Sequence, residues 1–175
     1  MNIHPIFVHF PIALLTFYCL LEFLRFRKIL SNKIFFYIKL FLLVFGTFSI
    51  FLALQTGNMA KKTISGASTH LVNVHSNFAV ATAFIFCILA LSYVIEWFNI
   101  DFPSQTFAIV QKFHLWKIWR VLSIIAKLII KSKIVIFLAL IGLIVITITG
   151  ALGASIVYGP GFDPIIMFIY KLFVI

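Results

Sequence analysis

Charge is scarce in this chain. Only 10% of its 175 residues are Asp, Glu, Lys or Arg, whereas 63% are hydrophobic. Mean hydropathy is +1.19. A disordered chain lacks that much apolar material, and a soluble domain has more charge to spread over its surface. Cysteine is scarce too. Cys19 and Cys87 both lie in apolar runs, and neither belongs to a C-x-x-C-H sequence. Covalent c-type haem attachment is thereby excluded, and packing as small hydrophobes is the plain role for both thiols. No Lys or Arg precedes Arg25, and no small-residue cleavage site follows the first apolar run. That segment is expected to be a retained span rather than a cleaved leader.

What remains is apolar and basic. Four runs approach or exceed the ~20 residues that cross a bilayer as helix. They cover about 6–25, 34–55, 71–98 and 134–157. The chain therefore reads as a single all-α transmembrane domain over 1–175. The net charge of +10 fits cytoplasmic loops and lipid headgroups better than nucleic acid in so hydrophobic a context. Arg25, Arg27, Lys28 and Lys33 occupy one connection; Lys112, Lys117, Arg120, Lys127, Lys131 and Lys133 occupy another. The opposite side has only Lys61, Lys62 and Lys171. The positive-inside rule then predicts both termini outside a bacterial cytoplasmic membrane. Residues 111–131 read as a basic amphipathic helix on the inner surface, with Trp116 and Trp119 at headgroup depth. The tail "IIMFIYKLFVI" is too short to span and follows the helix-breaking "YGPGFDP".

Spans one and three share a pattern. His4, His9, Ala13 and Thr16 are spaced as His70, His75, Ala79 and Thr82 are, as H-x4-H-x3-A-x2-T. A looser match joins "LEF" at Glu22 to "IEW" at Glu96. Spans two and four both close on a Thr-Gly pair, Thr56-Gly57 and Thr149-Gly150. Together these predict a four-helix bundle of two repeated hairpins, with every unusual feature at the outer end.

Histidine in a membrane costs free energy unless its ring nitrogens find partners. His9 and His75 begin stripes of small residues that leave room for a flat cofactor. If those stripes face the axis between the hairpins, His9 and His75 supply two axial imidazoles to a b-type haem. His4 and His70 form a second pair, available for a further ligand role, propionates or proton relay. The bland alternative is that these histidines cap and connect helices in a structural or assembly subunit. A third is a Zn or Cu site on the same imidazoles; among carboxylates and thiols only Asp163 would join them there. Transport is disfavoured, since no ionic residues mark a path across the midplane. Glu22 and Glu96 read as interfacial or salt-paired groups near Arg25 and Trp97. Asn73 and Asn77 read as capping or interhelical groups, Gly142, Gly150 and Gly153 as packing positions, and His114 carries no role.

With "HPIFVHFPIALL" and "TGALGASIVYGPG" in view, the chain resembles the DUF2231 family of predicted bacterial membrane proteins over nearly its whole length. The resemblance rests on His4-Pro5, Val8-His9-Phe10-Pro11, Thr56-Gly57, the His70/His75 segment and Gly150–Gly161. It implies a four-helix membrane domain. Some relatives are joined to c-type cytochrome modules, which implies electron transfer, with a cytochrome or quinone-linked redox partner. The chain departs from those relatives where their last motif resembles "TGHLGGSLTHG". Here Ala151 and Tyr158 replace its histidines, so any ligand role of that motif is lost.

Overall fold

Apolar runs with few breakers form long helices, because each buried backbone group must find its partner within the segment. The computed structural model describes residues 4–24, 32–61 and 68–175. Among them the chain forms seven helices and no strand: α1 (His4–Phe23), α2 (Lys33–Lys61), α3 (Thr69–Asp101), α4 (Pro103–Lys112), α5 (Trp116–Lys131), α6 (Ile134–Tyr158) and α7 (Pro164–Phe173). Four of them, α1, α2, α3 and α6, are long and apolar enough to cross a membrane. They coincide with the four expected runs, extended by a few residues at most ends. Arg25, Arg27, Lys28 and Lys62, used above to orient the chain, lie outside the described residues.

Local chemistry accounts for the ends. Ser68 caps α3 by accepting from Leu71 N at 3.1 Å. Gly159 ends α6 at φ +86°, a conformation open to glycine without steric cost. Asp163 then caps α7, its Oδ1 accepting from Ile165 N at 2.8 Å, with Pro164 in the first turn where its missing N–H costs nothing. The tail is thus a helix, packed on the ends of α3 and α6 through Leu71, Leu152 and Ile169, with Phe173 edge-on to Phe78.

The expected amphipathic helix over 111–131 is two helices. Pro103 starts α4, and the chain breaks at Phe113–Leu115 with His114 at φ +58° before α5 begins. Nor does α5 lie free. Ala126 and Ile129 are buried against the bundle. Asn99 of α3 accepts from Trp119 Nε1 and donates to Ser123 Oγ, both at 3.2 Å.

The four long helices share one register. Gly57 of α2 meets His4, and Gly46, eleven residues back, meets Leu15, eleven residues on from His4. Gly153 and Gly142 of α6 meet His75 and Phe86 of α3 with the same eleven-residue steps. Eighteen residues from the histidine level, Glu22, Lys39 and Tyr93 join α1, α2 and α3. α1 and α3 therefore run parallel, with α2 and α6 antiparallel to them. At 1.5 Å per residue the two polar levels are ~27 Å apart. Between them the core is apolar, with Leu15, Leu43, Phe86, Leu89 and Ala139 fully enclosed or nearly so. Two of its polar groups are absorbed by backbone carbonyls: Cys19 Sγ donates to Ala139 O at 3.3 Å and Thr47 Oγ1 to Phe86 O at 3.4 Å.

Candidate functional site

The features that stand out chemically are the two polar levels. At one end His4, in the first turn of α1, bonds Thr56 of α2 through Nδ1 at 3.1 Å. Thr56 Oγ1 also lies 2.9 Å from Leu52 O and 3.1 Å from Ala53 O. His75 makes the corresponding contact in α3, Nδ1 donating to Thr149 O of α6 at 3.0 Å. Thr149 is itself held by Thr82, the two hydroxyls 3.1 Å apart. Each ring rests on a glycine. A Cβ at Gly57 would stand 3.1 Å from His4 Cε1, and one at Gly153 3.2 Å from His75 Cε1. The two imidazoles are also near enough to interact electrostatically. In His75 the Nδ1–H tautomer places the ring lone pair on Nε2, the nitrogen through which an imidazole commonly ligates a metal; in His4 the Thr56 contact likewise engages Nδ1.

The expected grouping of four histidines thus resolves differently. His9 does not oppose His75: it is exposed, and its Nδ1 bonds the Pro5 carbonyl of its own helix. His70 is exposed as well. The cause is helical periodicity. Residues five apart differ by about 140° around a regular helix, and α1 runs unbroken through Pro11, so His4 and His9 cannot share a face. Of the two small-residue stripes, that of α3 turns inward, with Thr82 and Phe86 buried. That of α1 turns outward, with Ala13 exposed. His4 and His75, one member from each expected pair, are the two that turn toward a neighbouring helix and share a level. Asn73 accepts from Lys61 Nζ at 2.8 Å, an interhelical tie of the kind expected.

At the other end Glu22 is 1% exposed, and its Oε2 accepts from Lys39 Nζ at 3.0 Å and from Tyr93 OH at 2.9 Å. Phe36 stacks on Tyr93, and Tyr18 meets that ring edge-on. The Tyr18 hydroxyl and Glu96 Oε2 are buried without a hydrogen-bond partner. Of the two expectations for Glu22, interfacial or salt-paired, the structure shows the pair, buried rather than at an exposed surface. The partner Lys39 escaped the sequence reading because it looks like one more basic residue near a helix start. Arg25, the partner considered there, lies outside the described residues.

No group of three or more His, Cys, Asp or Glu side chains gathers among the described residues. A four-coordinate zinc site needs at least that many protein ligands, whereas two axial imidazoles satisfy a haem iron. No family model, no curated protein and no solved structure matches the chain.

Proposed function

We propose that the protein is a multi-pass membrane protein that holds b-type haem between His4 and His75 and transfers electrons to or from a cytochrome or quinone-linked partner. The carrying observation is the matched pair of imidazoles on parallel helices. Each has Nδ1 engaged by a threonine of the neighbouring helix and its ring seated on a glycine. Outer-sphere acceptors such as the Thr149 carbonyl orient ligating histidines and raise their basicity. Haem would supply one-electron chemistry through its iron. Thr56 and Thr149 fix the ring planes, and Gly57 and Gly153 let each imidazole lie close to a neighbouring helix. On this reading the spans form a bundle of two repeated hairpins in a bacterial inner membrane. The basic connections lie inside, both termini outside, and the chain is a divergent relative of the DUF2231 domains. On this reading His4 and His75 would hold the haem iron, in place of the His9 and His75 that the sequence stripes suggest.

The test is optical. Protein purified from haem-replete cells should show a Soret band, with α and β bands sharpening on dithionite. His4→Ala and His75→Ala should each abolish them, while His9→Ala and His70→Ala should not. A colourless protein overturns the haem reading. The same contacts then favour a second one, in which His4 and His75 are latches between the helices of each hairpin, in a structural or assembly subunit. That reading predicts colourless protein whose thermal stability falls in His4→Ala and His75→Ala.

A further inference from the structure

The break between α4 and α5 leaves an open groove of ≈ 710 Å³ lined by Phe107, Gln111, His114, Trp116 and Lys117. Its depth follows from the common register. Asn99, which binds Trp119 and Ser123, lies six residues beyond Tyr93 on α3. The start of α5 is thus ~9 Å past the Glu22–Lys39–Tyr93 level, in the interfacial zone of a bilayer whose hydrocarbon ends near that level. Charge on α4, α5 and the turn into α6 has one sign, and the nearest carboxylate in sequence, Asp101 at the end of α3, accepts from Tyr37 OH at 2.8 Å. Between residues 102 and 162 stand Lys112, Lys117, Arg120, Lys127, Lys131 and Lys133, and no Asp or Glu. Next to the cations, α5 exposes an apolar face with Ile118 60% and Val121 55% accessible; Trp116 and Phe107 at the groove are each about half exposed.

We infer that this elbow is a binding site for the headgroup of an anionic phospholipid. Lys117 Nζ and the His114 imidazole N–H would donate to phosphate oxygens, and the Gln111 amide would serve the glycerol or ester oxygens. Phe107, Trp116 and the apolar face of α5 would receive the first part of the acyl chains. Basic recesses beside membrane helices select anionic lipids by this combination of charge and apolar contact. The inference rests on the membrane reading above, but not on haem.

The experiment uses the full chain in nanodiscs of zwitterionic phosphatidylcholine, with Trp97→Phe and Trp119→Phe leaving Trp116 as the sole tryptophan. Phosphatidylglycerol with brominated chains, at low mole fraction, should quench Trp116 several-fold more than brominated phosphatidylcholine. Lys117→Gln with His114→Gln should bring the two lipids level, while helicity by circular dichroism stays unchanged. Millimolar inorganic phosphate should leave the preference intact. Equal quenching by both lipids in the inserted protein overturns the site, as does a preference that survives the double substitution. Displacement by free phosphate overturns it too, marking a phosphate site rather than a lipid site. A chain that fails to enter nanodiscs overturns the membrane reading together with this one.

Discussion

At the scale of single residues, four glycines carry the contacts between the long helices. Added Cβ atoms would come 2.9 Å from Phe86 Cζ at Gly142 and 2.5 Å from Leu15 Cδ2 at Gly46. Both neighbours are fully enclosed, so neither can swing away. Gly142→Ala and Gly46→Ala are expected to lower stability by ~1–3 kcal/mol, the usual cost of overpacking, read as unfolding in detergent. Gly57→Ala and Gly153→Ala differ in kind, because the atom they press on belongs to a histidine. On the haem reading these two should shift the optical spectrum at modest loss of stability, while Gly142→Ala should destabilise with the spectrum unchanged. A spectrum indifferent to Gly57→Ala and Gly153→Ala would count against His4 and His75 as ligands. His114 is another single-residue case. A non-glycine residue at φ +58° carries left-handed strain, and His114→Gly is expected to stabilise the elbow by ~1 kcal/mol.

At the scale of elements, the long helices were legible because their apolar runs are unbroken. The caps Ser68 and Asp163 were not read from the sequence, and the tail after Asp163-Pro164, too short to span, is a helix. The elbow was not legible. No glycine or proline stands at Phe113–Leu115, and the periodicity of α5 extrapolates smoothly backward, which hid Pro103 as the start of a separate helix. Lys39 was hidden for another reason. Its partner depends on the register between α1 and α2, and a basic residue near a helix start looks the same whether it faces water or a buried carboxylate. The Glu22–Lys39 pair makes its own prediction. Removing one member strands a buried charge, so Lys39→Met or Glu22→Gln should each cost ~3–5 kcal/mol. The double variant should cost much less than their sum, since it leaves no uncompensated ion. Detergent unfolding of the four proteins in a double-mutant cycle measures this, and additivity would show that the pair is not coupled.

At the scale of the whole molecule, spacing within single helices does not set which histidines from different helices share a level. A repeat found by matching letters aligns His9 with His75, whereas the packing aligns His4 with His75 because glycines, not histidine spacing, set the interhelical register. That register gives a prediction spanning all four long helices. Nine residues from the histidine level, midway to the Glu22–Lys39–Tyr93 level, stand Ala13, Phe48, Phe84 and Ile144, all of them exposed. With the polar levels ~27 Å apart, close to the thickness of a hydrocarbon core, these four positions belong at one depth, the bilayer midplane. Spin labels placed there, in a variant whose native cysteines are replaced, should show matching high oxygen accessibility and low accessibility to a polar nickel reagent. A label at Met59, beyond the histidine level, should show the reverse. Midplane labels differing in depth by more than about one helical turn, ~5 Å, would mean that the helices do not cross the bilayer in the common register seen here. The two polar levels would then no longer mark its surfaces.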